Sequence, residues 1–453
     1  MERTLCIRTD GKFPLRRSHP VKRDAHSIQR PRRRPLGFFV FVALVGGALV
    51  GSNSGSVTTA EEARATSTRL PTVILISLDG TRPADLTEDQ LPSLVELGRR
   101  GLRAAGLMPV DPSNTFPTHV SLATGVRPEE HRLVNNVFID TIRGRFSRDA
   151  PHTWIESEPI WSIAERNGLP TASFYWVGSE GPWQGGPGPT ETRKFSSRTL
   201  EKTKVTQILK WLDLEDPSKR PRLIMSWFHG ADHAAHSSGP GTRSVARSLA
   251  PQNIQIARLV RELEERDLFG STTLIFVSDH GMSKATERVN LGSRLGRAGL
   301  DVSLMGVGGF AIGVFDEGEK TPDSLSRAVE VARKAGLRAW AREEAPEDWH
   351  VDDPRFGDFV VRAPIGTAIV TARTRIDGFH GYESHEPTMA GLLVARGRGV
   401  RAGSTIGTVS SLSVAPTVLA LLDLPIPPQM KAPTIPELLF GIVEDTGPSG
   451  VPN

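Results

Sequence analysis

The chain has 453 residues, of which 38% are hydrophobic and 23% charged, a balance that supports a sizeable buried core and excludes a disordered chain. Eleven Lys or Arg against three acidic residues give the first 35 positions a charge of +8, so the remaining body carries −4 of the formal +4, and no nucleic-acid binding is expected from that body. The single cysteine, Cys6, lies in the basic arm, which excludes a disulfide framework, a catalytic thiol and a Cys-bound metal from the body; any metal site there must use His and carboxylates.

After the arm, Leu36 to Val50 form an apolar run of fifteen residues, followed by a small and polar stretch to Ala60. Fifteen residues are short for a membrane span and right for the apolar region of an export signal. Val57-Thr-Thr-Ala60 offers a cleavage site, an uncleaved anchor is the alternative, and Arg16-Arg17 and Arg33-Arg34 make a twin-Arg route conceivable. The expected organisation is arm, export segment and linker over 1–68, one α/β catalytic domain over 69–440, and a tail over 441–453. The expected location is periplasmic or extracellular, with membrane contact only through the N-terminal segment.

From Arg69 onward short β-branched runs alternate with helical patterns. Strands are predicted at Pro71–Asp79, Thr171–Trp176, Arg222–Phe228, Thr272–Val277 and Gly391–Ala395. Helices are predicted at Leu91–Arg100, Pro159–Arg166, Lys204–Leu212, Ser244–Arg266, Ser324–Ala335 and Ser413–Leu422. This alternation predicts an α/β fold with a mostly parallel central sheet, helices on both faces, and an active site at the carboxyl edge of the strands. Val302 to Ile376 reads only as a region of mixed strands and helices containing Trp340 and Trp349.

Polar residues cluster after these runs. Asp79 ends the first strand, and Asp232 and His236 follow the strand ending at Phe228. Asp279-His280 end another strand, and His380 and His385 lie in Gly378-Phe-His-Gly-Tyr-Glu-Ser-His385. Asp and His supply the O and N ligands that zinc takes, and an i, i+4 step puts Asp232 and His236 on one face of a helix. Thr115, at the centre of Asp111-Pro-Ser-Asn-Thr-Phe-Pro-Thr-His119, stands where a small-residue helix begins, a place suited to a nucleophilic hydroxyl beside a phosphate. Each residue has a structural alternative: Thr115 as an N-cap, Asp79 as a turn residue, Asp279-His280-Gly281 as an Asx-turn. Their joint occurrence in a body without cysteine favours a two-metal site.

Leu78-Asp-Gly-Thr-Arg-Pro83, Asn114-Thr-Phe-Pro-Thr-His119, Thr124-Gly-Val-Arg-Pro-Glu-Glu-His131 with Asn135-Asn136, Asp232-x3-His236-x2-Gly-Pro240, Ser278-Asp-His-Gly-Met282 and His380-Gly-Tyr382 occur in this order. The series resembles the nucleotide pyrophosphatase/phosphodiesterase family of the alkaline phosphatase superfamily, over roughly Thr72 to Ala395. The resemblance implies an alkaline-phosphatase-like fold and two zinc ions. Asp79, Thr115, Asp279 and His280 would surround one ion; Asp232, His236 and His380 would hold the other. It implies Thr115 as nucleophile, forming a phosphothreonyl intermediate, and Asn136 as a donor to a phosphoryl oxygen, assisted by the amide near Thr115. His119 reads as a loop-stabilising residue, while Asn135, His229 and His233 receive no role.

Gly230 and Ala231 stand where many members carry other residues, Pro in the second case, and Asn114 where Lys is frequent. Phe116, Tyr175, Trp176 and Trp183 are the aromatic candidates for clamping a nucleoside base. The leading expectation is hydrolysis of a small-molecule phosphodiester or nucleotide pyrophosphate, and no protein partner is called for. Alternatives are a phosphomonoesterase or phosphonate hydrolase on the same metal framework, or a non-catalytic envelope binding protein. A sulfatase is disfavoured, because Asn114-Thr-Phe-Pro lacks the Cys or Ser that such enzymes modify.

Overall fold

The computed structural model describes residues 69–316, 318–371 and 376–442. The basic arm, the apolar export segment and the end of the tail lie outside the described residues. Among the described residues, no helix is long and apolar enough to cross a membrane.

Eight strands form the central sheet: β1 (Thr72–Leu78), β2 (Leu102–Met108), β3 (Thr171–Phe174), β4 (Glu191–Arg193), β5 (Leu223–Phe228), β6 (Thr272–Val277), β7 (Leu393–Gly397) and β8 (Ser404–Ser410). Their spatial order is β8-β2-β7-β6-β1-β5-β3-β4. The pairings are parallel except the two made by β7, which runs antiparallel to both β2 and β6. Alternate residues of β1 point to opposite faces, and both sets are buried. Ile74, Ile76 and Leu78 meet Leu94, Ile208 and Ile256 on one side; Val73 and Leu75 join the cluster of Leu122, Trp161 and Val418 on the other. Burial on both faces explains why the central strands read as continuous apolar runs rather than alternating ones.

The predicted helices occur at Pro92–Arg100, Ile160–Arg166, Glu201–Leu212, Arg243–Glu265, Pro322–Lys334 and Val414–Leu421, within a few residues of the expected bounds. Three sheet strands were not legible from the sequence. The segment of β2, Leu-Arg-Ala-Ala-Gly-Leu-Met, has little β-branched character and is extended because two neighbours supply its ladder. The outer strands β4 and β8 are largely polar and only half covered.

Val302–Met305, Phe310–Phe315, Phe359–Arg362 and Arg338–Ala341 form a second, antiparallel sheet of four strands. Ala328 and Ala332 of the helix Pro322–Lys334 pack with Phe315 and Val361 on one face. The other face, with Phe310, Ile312 and Val360, joins Trp349, Phe138 and Trp154 in a cluster that reaches Val120 of the nucleophile helix. This lobe therefore supports the loops on one side of the site.

Candidate active site

The carboxyl ends of β6, β1 and β5 lie side by side, with Ser77 opposite Val277 and Leu78 opposite Phe228. The residues just beyond those ends are Asp279-His280, Asp79 and the loop to Asp232. Gly80 and Gly230 let the β1 and β5 loops touch. Gly230 has φ +59°, and a Cβ there would stand 1.9 Å from the Asp79 carbonyl oxygen. That oxygen accepts the backbone N–H groups of Ala231, at 2.8 Å, and Asp232, at 3.1 Å. In this backbone a side chain at position 230 would push Asp79 and Asp232 apart.

Thr115 opens the helix Thr115–Thr124, which ends at Gly125 in the left-handed conformation. Pro117 sits within the first turn, where a missing N–H breaks no helical bond. The Thr115 hydroxyl lies 3.2 Å from His280 Nε2. Phe116 N–H donates to Asn136 Oδ1 at 2.9 Å, so the amide expected to meet a phosphoryl oxygen already has a partner, and the Nδ2 amide of Asn136 is left to donate into the cavity.

Six of the seven expected ligands fall into two groups, Asp79–Asp279–His280 and Asp232–His236–His380, each with its donor atoms within 4.8 Å of one another; the seventh, Thr115, stands beside His280. His280 Nε2 is 3.2 Å from Asp279 Oδ2 and 3.6 Å from Asp79 Oδ1. Asp232 Oδ1 is 3.2 Å from His236 Nε2 and 3.9 Å from His380 Nε2. The rings of His280 and His380 stack at 3.8 Å, bringing the two groups side by side. All three histidines place Nδ1 against a backbone carbonyl: His236 on Gly378, His280 on Gly281 and His380 on Ser113. Nδ1–H donation to these carbonyls selects the tautomer whose bare Nε2 faces the carboxylates, the arrangement a metal-binding imidazole requires. His385 stays outside both groups and stands instead with Glu383 and Glu386.

The loop carrying His380 is tied to the nucleophile loop. Gly381 N–H donates to the Ser113 carbonyl, Ser113 Oγ to the Tyr382 carbonyl, and Asp111 accepts both the N–H and the hydroxyl of Ser384. His119 Nδ1 lies 2.8 Å from the Thr115 carbonyl and 3.4 Å from Asp279 Oδ2, a position that stabilises the loop as expected.

Electrostatically the site is frustrated as folded. Burial, with Asp279 and Asp232 nearby, holds the Asp79 carboxyl well above the usual range. Burial and the neighbouring His280 and His236 push His380 well below the usual imidazole value. Burial opposes the charged form of Asp232, but the proximity of His236 outweighs it and holds that carboxyl low. Asp79 Oδ1, Asp232 Oδ1 and Asp279 Oδ2 are buried without a hydrogen-bond partner. Orphaned carboxylate oxygens in each group, facing bare imidazole nitrogens, fit a divalent cation in each.

Several contributors escaped the sequence reading. Trp227 Nε1 donates to Asp79 Oδ2 at 3.1 Å, and Lys204 Nζ to the Trp227 carbonyl at 2.8 Å; burial lowers that ammonium to about 8. His229, left without a role, is bound through Nδ1 to Glu201 at 2.6 Å. Phe195, 60% exposed, stacks on Trp227 at 5.3 Å and 22°. Phe116, Phe195 and Trp227 line a cavity of about 510 Å³ that also contains Thr115, Asn136, Asp79, Asp232 and His380. Of the four aromatic candidates only Phe116 lines it. Tyr175 and Trp176 are buried, the latter donating to the His119 carbonyl, and Trp183 is bound to the Ile155 carbonyl.

Asn135 also has a role. Its Oδ1 accepts Asn114 Nδ2 and Asn136 N–H, both at 2.8 Å. The Asn114 side chain is therefore turned into the protein rather than toward the metal groups. Asn135→Ala is expected to lower kcat/KM about ten-fold or more by releasing Asn136, and to cost about 1–3 kcal/mol for the buried donors left unpaired. Unchanged steady-state kinetics in a folded variant would remove this positioning role.

The family described as type I phosphodiesterase/nucleotide pyrophosphatase matches residues 73–383. An uncharacterized pyrophosphatase/phosphodiesterase of Schizosaccharomyces pombe is 29% identical over 387 residues, covering 79% of this chain and 78% of that protein. Mouse ectonucleotide pyrophosphatase/phosphodiesterase family member 3 is 32% identical over 224 residues, covering 48% of this chain and 25% of its own. Venom phosphodiesterase 2 of Crotalus adamanteus is 31% identical over 219 residues, covering 47% and 27%. The chain thus spans about a quarter of the length of these last two relatives. In fold, it is similar to murine ectonucleotide pyrophosphatase/phosphodiesterase 5, solved as an inactive variant in complex with AMP, with a TM-score of 0.72 at 23% identity, covering 79% of this chain and 96% of that one. The match over residues 73–383, more than half of the sequence, makes this chain a member of the type I phosphodiesterase/nucleotide pyrophosphatase family.

Proposed function

We propose that this protein is an exported two-zinc phosphodiesterase that hydrolyses nucleotide pyrophosphates or related phosphodiesters through a phosphothreonyl intermediate. The observation that carries the reading is the convergence of Asp79, Asp279, His280, Asp232, His236 and His380 beside the Thr115 hydroxyl. Asp79, Asp279 and His280, with Thr115 itself, would hold one ion, and Asp232, His236 and His380 the other. The ions would supply Lewis acidity that makes the Thr115 hydroxyl a competent nucleophile at neutral pH and steadies the departing oxygen.

Thr115 Oγ, its proton passed to solvent, attacks phosphorus in line with the leaving group, and the scissile P–O bond breaks as the Thr–O–P bond forms. Asn136 Nδ2 donates to an equatorial oxygen as charge builds there. Water then attacks the phosphothreonine and returns the hydroxyl. The helix N-terminus at Thr115 adds a favourable field for the dianionic transition state. No side-chain general base is required.

A cavity of about 510 Å³ walled by Phe116, Phe195 and Trp227 suits a phosphate that bears an organic substituent. We propose that a nucleoside base lies against these rings, a reading that favours a diester or anhydride over a monoester. The likeness to a fold solved in complex with AMP gives a precedent for a nucleotide in this fold.

The test is turnover by zinc-loaded protein of three compounds: the nitrophenyl ester of thymidine monophosphate, nitrophenyl phosphate and a nitrophenyl phosphonate. Preference for the first by about 10²-fold or more in kcat/KM is expected. A preference for the monoester or the phosphonate would overturn the substrate class, and no turnover of any would overturn the enzymatic reading.

A further inference from the structure

We infer that Arg148 is a specificity-determining residue that binds a second phosphate of the substrate, next to the phosphorus that Thr115 attacks. The inference deepens the proposed function and rests on that reading of the site.

Beside the larger cavity lies a second of about 290 Å³. Asn136, Arg148, His236, Val307 and His380 line both. Arg148 therefore stands where the two spaces meet, close enough to His236 to act on its charge. Arg145, Asn114, Asn135 and Thr371 complete the polar lining of the smaller cavity, which has no carboxylate among its described lining residues. Once the metal groups are charge-compensated, the field in this space is set by arginine.

The neighbouring arginines show what is unusual about Arg148. Arg143, on the same loop, spends its guanidinium on the Thr153 carbonyl at 2.7 Å and lies over the Trp154 ring at 3.8 Å. Arg145 donates through Nε to Ser147 at 3.2 Å. The Arg148 guanidinium makes no ion pair or hydrogen bond among the described residues, and stands 5.9 Å from the Phe116 ring. Its backbone is held at φ +72°, a left-handed conformation that costs a non-glycine residue of order 1 kcal/mol. Arg148 is exposed and lines both cavities, so its cation is open to a ligand that enters them. Its planar fork matches a phosphate in two parallel hydrogen bonds.

A second phosphate reaches this position from one of two sources: the leaving group, as in a nucleoside triphosphate, or the retained nucleoside, as in a nucleoside carrying a further phosphate on its ribose. Three substrates separate these sources: thymidine triphosphate, the nitrophenyl ester of thymidine monophosphate, and the same ester bearing a 3′-phosphate. Arg148→Ala is expected to lower kcat/KM on one of the two charged substrates about 10–100-fold more than on the plain ester, as for a lost charge-assisted contact. Arg148→Lys is expected to restore part of the difference, while Arg143→Ala leaves the ratio as in the native protein.

An equal loss on all three substrates, or none on any, would overturn the inference. A second readout is independent of turnover: calorimetric binding of inorganic pyrophosphate and of thymidine 3′,5′-bisphosphate to the zinc-loaded native protein and Arg148→Ala. A rise in Kd of about ten-fold for one ligand supports the inference even if the proposed catalytic activity fails. Unchanged Kd for both would overturn it even if that activity stands.

Discussion

Thr115→Ala is expected to abolish turnover of every phosphoester tested, by at least about 10³-fold in kcat, while leaving the fold intact. The hydroxyl lies 3.2 Å from His280 Nε2, and removing a nucleophile deletes the covalent route rather than weakening it. Alanine is at least as good a helix former as threonine, so the helix Thr115–Thr124 retains its start, and the stability change is expected to stay within about 1 kcal/mol. Thr115→Ser keeps the oxygen and is expected to retain measurable activity. Rapid acid quenching of the native protein with labelled substrate should trap label on Thr115, with none in Thr115→Ala. An alanine variant with native kinetics would end the nucleophile assignment.

Removing the metals is expected to have the second large effect. Chelation should eliminate activity and zinc should restore it. The metal-free protein should also melt several degrees lower, because three carboxylates and three imidazoles are then left in a buried space with orphaned oxygens. An ion that binds only the folded state stabilises it by about 4 kcal/mol at a concentration a thousand times its Kd. The two groups of ligands predict a stoichiometry as well. Asp232→Ala is expected to reduce bound zinc from about two per chain to about one, leaving the group that includes Thr115 occupied. Elemental analysis of desalted protein measures this. A native zinc content in Asp232→Ala, or activity that survives exhaustive chelation, would exclude this account of the centre.

Gly230 shows how a residue that looks anomalous in a motif becomes intelligible in three dimensions. In sequence it was a departure from the family pattern; in the fold it is the one residue type that lets the Asp79 carbonyl approach the backbone before Asp232. Asn114 is similar. Where a longer cation is frequent in the family, it instead bonds to Asn135, and through Asn135 it is coupled to Asn136. Arg148, on a loop more than thirty residues later, lines the same cavity as Asn114.

The sequence by itself determined the α/β class, the strands whose tips carry Asp79, Asp232 and Asp279, and the membership of His236, His280, His380 and Thr115 in one ordered set of motifs. The class and the strand ends are local properties: strand runs buried on both faces are continuous, helical faces repeat every three to four residues, and polar residues at strand ends stand out against them, whereas the set of motifs is legible through the resemblance to the family. The tertiary structure alone decided how β2, β4 and β8 complete the sheet and how residues 302–362 form a second one. It also decided which nitrogen of each histidine faces the carboxylates, and that Phe195 and Trp227, rather than Tyr175, Trp176 or Trp183, wall the cavity. Each of these depends on which distant segments lie against one another. Two aromatic side chains with the same local pattern become core or wall according to the loop that covers them, and that pairing is set by the order of strands in the sheet and the closure of the chain around it.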